Sequence, residues 1–405
     1  MQKPLPKGWK WVKLGEVADG EKFSIRMGPF GSQLKKHELV NEGIKVLWIE
    51  NIVDNEFKWL DNKSITEGKF KQLEGFKVKP NDILTTTMGT IARTCVVPSN
   101  IGKAIISSHL LKISPDLSRI NPTFVAKYMS SGFALRYFDK KAHGIVMKGL
   151  NTSIIKNLPI PLPPLSTQHK IVEILEEADN LRKLRRQADE KMKDLIPSLF
   201  VRMFGDPATN PKGWEMISLG DVCNKPEYGV TATATNSFIG PKFLRITDIQ
   251  NGNVDWNKVP YCECSDIDRN KSRLSIRDIV VARIGSTTGK AYLVRDCPDA
   301  VFASYLIRLR TNDSLLPEFL FAFMDTKSYW TQINSVKGTR LKQGINIPVL
   351  INLKFPLPPL PLQQEFAKLV EGIEAEKARQ AEGKKKLDEL FNSLMQRAFT
   401  GELVA

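Results

Sequence analysis

Residues 158–168 read LPIPLPPLSTQ, and residues 353–363 read LKFPLPPLPLQ. The two segments share a Pro-Leu-Pro-Pro-Leu-x-x-Gln core at an offset of 195, and their flanks agree as well. Upstream, Gly149-Leu150-Asn151 corresponds to Gly344-Ile345-Asn346. Downstream, Ser198, Leu199, Arg202 and Phe204 correspond to Ser393, Leu394, Arg397 and Phe399. Further back, AIISSHL at 104–110 matches AVFASYL at 300–306 at an offset of 196. Asp82-Ile83 with Gly89-Thr90 matches Asp278-Ile279 with Gly285-Ser286 at the same offset. KGWKWVKLGEV at 7–17 matches KGWEMISLGDV at 212–222 at an offset of 205. Ordered blocks at nearly constant offset mark a duplicated unit of about 200 residues. The falling offset implies that the second copy has lost about ten residues in its first part.

Each copy has two unlike parts. The first is broken into short apolar runs such as Val46–Ile49, Ile83–Thr87, Ala104–Ile106, Ile279–Ile284 and Tyr305–Arg310. These runs are rich in β-branched residues and bounded by turn formers, so they predict strands. Pro122–Phe138 and Pro317–Trp330 open on proline and carry spaced aromatics, which predicts helices. The second part, Thr167 to about Phe204, contains no glycine and a single proline, Pro197. Its apolar residues recur at helical spacing with charges between them, the pattern of a long amphipathic helix. The corresponding helix runs from Leu362 to about Phe399, with a weaker middle at Gly383.

A helix of ~35 residues spans roughly 50 Å and needs a partner for its apolar stripe. The other copy is the obvious one. The expected pairing residues are Ile171, Leu181, Leu195 and Leu199 with Leu369, Leu387, Leu390 and Leu394. The predicted fold is α+β: two domains with curved, mostly antiparallel sheets, separated by two long antiparallel helices in a pseudo-two-fold tandem repeat. The predicted boundaries are 1–165 and 206–360 for the sheet domains, and 166–205 and 361–405 for the helices. The Pro-Pro pairs stiffen each junction between sheet and helix.

The chain of 405 residues carries a formal net charge of +15. Residues 1–165 hold 25 basic against 14 acidic side chains, and the remainder holds 34 against 30. Such an excess favours a polyanionic partner, because Lys and Arg gain most where they displace counterions from phosphates. Five scattered cysteines argue against both a disulfide framework and a zinc site. Neither a signal sequence nor a membrane span is apparent, so the cytoplasm is the expected compartment.

Catalytic signatures are weak. Gly285-Ser286-Thr287-Thr288-Gly289-Lys290-Ala291 resembles a phosphate-binding loop but is one residue short and lacks the terminal Ser/Thr. Its first-copy counterpart, Gly89–Arg93, has lost the second glycine and the lysine. No Asn/Asp-Pro-Pro-aromatic segment of an amino-methyltransferase occurs. Of the four histidines only His109 falls in a repeated block, where Tyr305 takes the matching place. No catalytic, cofactor or metal site is therefore expected in this chain.

The Gly-Trp-x-x-x-x-Leu-Gly-Glu/Asp-Val start, the Gly28–Lys36 turn (GPFGSQLKK), the Asp-Ile strand with its Gly-rich loop, and Pro-Leu-Pro-Pro-Leu-x-x-Gln before a long helix together resemble the specificity subunits of Type I restriction–modification systems. The likeness covers essentially the whole chain, twice and in order. The second copy departs from it at the turn, where Tyr228–Thr233 (YGVTAT) stands instead, so the two domains are expected to read different sequences. The resemblance implies a prokaryotic cytoplasmic protein whose two target-recognition domains each read half of a split site in double-stranded DNA. It also implies two methyltransferase subunits using S-adenosylmethionine, and restriction subunits using ATP and Mg²⁺, as partners.

Reading bases requires donors and acceptors at groove edges, whereas phosphate contacts set position. In the first domain the candidates are Gly31, Ser32 and Gln33 with Lys35 and Lys36, the strand end at Thr86 and Thr87, and Lys148 with Asn151. In the second they are Tyr228, Thr231, Thr233, Arg245, Arg283, Thr287 and Lys290, with the basic loop bearing Lys337, Arg340, Lys342 and Gln343. Any one of these alone also reads as an ordinary solvated loop residue. A structural adaptor, binding protein through its helices, is the second reading the sequence leaves open.

Overall fold

The computed structural model describes residues 4–60, 63–142, 149–250, 252–336 and 344–404. The chain forms two compact units. One takes the residues up to Arg185 together with those from Gly383 onward, and the other takes Arg186–Glu382. No helix among the described residues is long and apolar enough to cross a membrane.

In the first unit the apolar runs form an antiparallel sheet in the order Ile25–Met27, Leu110–Ile113, Ile83–Thr86, Thr94–Val96. Its two middle strands are buried on both faces. Alternate residues therefore serve two cores, as the two-residue period of a strand demands. Ile83, Leu111 and Ile113 join one cluster, and Leu84 and Leu110 join another. The second unit repeats this with Glu227–Tyr228, Leu306–Leu309, Ile279–Ala282 and Ala291–Leu293. There Ile279 and Val281 face one cluster, Val280 and Ala282 the other. Each unit adds one parallel pair: Ile44–Leu47 with Ala104–Ile106, and Lys242–Leu244 with Ala300–Phe302.

The repeated motifs have structural explanations. Lys10–Lys13 pairs with Pro159–Leu162, and Glu215–Ser218 with Lys354–Leu357, so the Gly-Trp start meets the proline segment. The prolines are tolerated because each pair is an isolated two-stranded ribbon. The glutamine that ends the motif is fully buried in both copies. Gln168 donates to the carbonyls of Arg119 and Pro163 and accepts from Asn121 N–H at 2.8 Å. Gln363 does the same with Ser314, Pro358 and Leu316. Every amide group that burial would otherwise penalise is thereby used.

Each predicted sheet-domain helix is in fact two: Pro122–Met129 and Gly132–Lys141, then Pro317–Phe323 and Lys327–Val336. The first long helix also breaks, into Leu165–Lys193 and Leu195–Phe204. Pro197 causes this, since its ring opposes the carbonyl four residues earlier, that of Lys193. The C-terminal helix Leu360–Thr400 is continuous through Gly383. A side chain at Gly383 would meet nothing within contact range. Gly383→Ala is therefore expected to stabilise the protein by up to about 1 kcal/mol, read as a higher denaturation midpoint. A lower midpoint would contradict an unencumbered helical position.

The long helices cross between the cores by chain continuity. Ile171, Val172 and Leu175 belong to the first unit's core, while Phe200 and Phe204 belong to the second's. Phe366 and Val370 lie in the second core, while Met395, Ala398 and Phe399 lie in the first. In the first unit the two helical segments run antiparallel, with Ile171 level with the Phe399 end and Arg182 reaching Asp388 at 2.7 Å. The expected leucine seam is not what holds them. Ile171 is buried, and Leu199, Leu387 and Leu394 are half-buried, but Leu181, Leu195, Leu369 and Leu390 are 42–52 % exposed. Aromatic side chains near the helix ends anchor into the sheet cores. The mid-helix contact between the two segments in the first unit is instead made by Arg182, which pairs with Asp388 and lies over the Phe391 ring at 4.3 Å, while Asp179 beside it ties the first helix to Lys127 of Pro122–Met129.

Candidate nucleic-acid interface

In both units candidate segments follow strands that finish at the same end of the four-stranded sheet. In the first unit strand Ile83–Thr86 runs out at Thr87, whose N–H donates to the carbonyl of His109 at 3.0 Å. Leu150 N–H then donates to the Thr87 carbonyl at 2.9 Å. In the second unit Arg283 N–H donates to the Tyr305 carbonyl at 3.0 Å, and Ile345 N–H donates to the Arg283 carbonyl at 2.8 Å. The same backbone frame is thus built twice, and different side chains are hung on it.

A glycine seats a third segment on each frame. Gly28 lies so close to the Ser107 carbonyl that any Cβ would overlap its oxygen, and a Cβ at Gly229, which follows Tyr228 paired with Ile307 as Gly28 follows Met27 paired with Leu111, would overlap the carbonyl oxygens of Phe302 and Ala303. Gly229 is therefore the structural counterpart of Gly28, although it belongs to no matched sequence block. After Gly28 the chain turns through exposed Phe30, Gly31, Ser32, Gln33, Lys35 and Lys36. After Gly229 it runs extended, with Thr231 and Thr233 outward and Ala232 and Ala234 against a small apolar cluster.

Arg283 is the most distinctive side chain of the second frame. Its guanidinium lies over the Tyr228 ring at 4.7 Å and donates to the Ser304 carbonyl at 3.3 Å. Its Nε is buried with no hydrogen-bond partner. The Tyr228 hydroxyl accepts from Ile347 N–H at 3.1 Å, which fixes the ring beneath the cation. The loop that follows is a hairpin turn between strands: Gly289 N–H donates to the Ala282 carbonyl, and Ala282 N–H to the Lys290 carbonyl. No helix follows it, so it lacks the helix N-terminus on which a nucleotide loop depends. Tyr329 donates to the Gly289 carbonyl at 2.7 Å from beneath, and burial pushes its ionisation upward, so it remains a donor. Thr287 is left half-buried and Lys290 exposed at the tip.

Four of the candidate residues are otherwise engaged. Thr86 and Thr87 are completely buried. The Thr86 hydroxyl donates to Thr90 and accepts from Arg93 N–H, and the Thr87 hydroxyl donates to His109. They shape the loop and do not face a ligand. Asn151 caps the helix Thr152–Lys156 by accepting from Ile154 N–H, as Asn346 caps Ile347–Ile351, so its repetition has a structural cause. Arg245 holds Asp248 with two guanidinium bonds of 3.0 and 2.8 Å, which occupies the fork that would read a base. Lys148, Lys337, Arg340, Lys342 and Gln343 lie outside the described residues.

Residues 6–193 and 211–389 each match the family described as the Type I restriction modification DNA specificity domain. The chain belongs to that family. Among members of the Type I specificity family, the chain is 22% identical over 436 residues to the EcoKI specificity subunit of Escherichia coli (strain K12), covering 99% of this chain and 90% of that relative. It is 21% identical over 402 residues to the MjaVIII specificity subunit of Methanocaldococcus jannaschii, covering 94% and 92%. A chain from a structure of the type I R-M system, solved to explain complex assembly and conformational transition, resembles it with a TM-score of 0.65. That match has 20% identity and covers 99% of this chain and all of the other. The S subunit from M. genitalium gives a TM-score of 0.57 at 14% identity, covering 98% and 97%. Within this family fold, His109 and Tyr305 are the residues of the frame that the candidate set had passed over. Their signal was present in the sequence, as unlike residues at one position of a repeated block.

Proposed function

We propose that this chain is the DNA-reading specificity subunit of a Type I restriction–modification complex, each unit reading one half of a split site. The observation that carries the reading is the duplicated frame with unlike side chains on it. One unit presents Gly31–Lys36, and the other presents Thr231, Thr233 and the Arg283–Tyr228 stack. A scaffold kept the same while its exposed polar residues differ suits two readers of different sequences. The net charge of +15 supplies the sequence-independent attraction to phosphates.

Chemistry falls to partner subunits in this proposal. Two methyltransferase subunits would use S-adenosylmethionine, and restriction subunits would use ATP and Mg²⁺, in the cytoplasm of a prokaryote. This chain selects the site and has no catalytic residue of its own.

DNA binding by the full chain, titrated with salt, tests the reading. Affinity should fall steeply and log-linearly with salt. Lys290→Ala should lower the slope by about one without changing which sequence is preferred. A flat salt response, with no preference among duplexes, would favour the adaptor reading instead. Methylome sequencing of cells carrying the chain with its methyltransferase should reveal a split motif modified on both strands.

A further inference from the structure

We infer that His109 and Tyr305 are one specificity position present twice, each setting a base of its own unit's half-site. The inference rests on the DNA-reading function above and assigns it residues.

The position is defined by backbone, not by alignment alone. Each residue accepts, through its carbonyl, the N–H of the first residue past the central strand, Thr87 or Arg283, at 3.0 Å. Each is immediately followed by the strand that pairs with that central strand, Leu110–Ile113 or Leu306–Leu309. The residues two places earlier, Ser107 and Ala303, are buried in both units, and each donates its N–H to the second layer, at Leu47 or Leu244. Against this fixed frame His109 and Tyr305 are both exposed, Tyr305 by 56 %.

A single exposed aromatic is ordinary on a protein surface. Tyr305 is singled out by its neighbours. Arg283, bonded to its carbonyl, pairs with no carboxylate among the described residues, is stacked on Tyr228, and has a buried Nε left unsatisfied. Ser304, which precedes Tyr305, holds that guanidinium through its carbonyl. A cation held in a plane without an anion is suited to guanine, whose O6 and N7 accept two parallel bonds from arginine. Tyr305 stands beside it with a hydroxyl that donates or accepts and a ring that can cover a thymine methyl. The second half-site is therefore assigned a guanine opposite Arg283, with Tyr305 reading the adjacent base pair.

In the first unit Thr87 cannot take the arginine's part, because it is buried and its hydroxyl is committed to the His109 carbonyl. The exposed imidazole of His109 is then the polar group left at that point of the frame. It offers one donor and one acceptor when neutral. The two half-sites should differ at this register, the first lacking the arginine-read guanine.

The test uses the full chain with its methyltransferase subunit and a library of duplexes randomised over both half-sites. Tyr305→Ala should relax one base position in one half-site by on the order of tenfold, leaving the other half unchanged. His109→Ala should relax one position in the opposite half only. The exchange Tyr305→His, in a side chain already exposed, should shift the preference at that same position and retain the wild-type melting temperature. Unchanged preferences in all three variants, with the wild type still selecting a split site, would overturn the assignment and leave the DNA-reading function standing. A wild type that selects no sequence would overturn both.

Discussion

Phe399→Ala is expected to destabilise the first unit by about 3–5 kcal/mol, the range for removing a buried aromatic. Phe399 lies more than 200 residues beyond Arg185, yet with Met395 and Ala398 it is buried in a core whose other buried members all precede Arg185. Its ring meets Phe124 edge-on at 5.4 Å and Tyr128 at 5.0 Å. Tyr128 in turn donates to the Pro159 carbonyl at 2.7 Å, so the ring supports the ribbon that carries the proline motif. The second unit contains none of these contacts. Denaturation followed by probes placed in each unit should therefore show one transition moved and the other kept. Phe366→Ala should act the other way round, because Phe366 lies against Phe200 at 5.8 Å and Phe204 at 5.2 Å in the second core. Equal loss in both units from Phe399→Ala alone would refute this division of the core.

Gly28→Ala and Gly229→Ala are each expected to cost about 1–3 kcal/mol or more and to abolish selection of one half-site. The sign is informative. In an unstrained position glycine to alanine stabilises by about 0.4–1 kcal/mol through the unfolded chain. Neither glycine has a positive φ, so conformational freedom is not the reason they are glycine. The reason is approach: an added methyl would overlap the Ser107 or Phe302 carbonyl, and these are backbone atoms that cannot swing aside. The segment must lift from the sheet end, carrying Phe30–Lys36 or Thr231–Thr233 with it. Binding measured against separately mutated half-sites should show the loss on one side only. Wild-type stability in either variant would contradict the close approach.

The repeat, the strand-rich and helix-rich parts and the long helices were legible because each rests on local periodicity or on matched blocks. The strand at Ile83 and its counterpart at Ile279 were visible as apolar runs, since burial on both faces removes polar alternation. What was hidden depends on partners distant in the chain. Thr86 and Thr87 look like polar strand ends, and only the fold supplies the Thr90 and His109 carbonyls that allow them inside. Arg245 looks like a free cation until Asp248 folds back on it. Gly229 escaped because the segments before it differ in length between the copies. The leucine pattern along the helices is genuine amphipathicity, but spacing cannot say whether a stripe meets another helix or a sheet.

The way the helices close the two cores also sets an order in time. The second unit, Arg186–Glu382, is one uninterrupted stretch, whereas the first waits for residues from Gly383 onward. As the chain leaves the ribosome, the domain begun first is the one finished last. Until Met395, Ala398 and Phe399 arrive, its core lacks part of its packing, and residues such as Phe124 and Tyr128 lack their late partner. A stop placed just after Glu382 would thus leave the later-encoded unit intact and harm the earlier one. Domains usually fold in the order of synthesis, and this chain reverses that order.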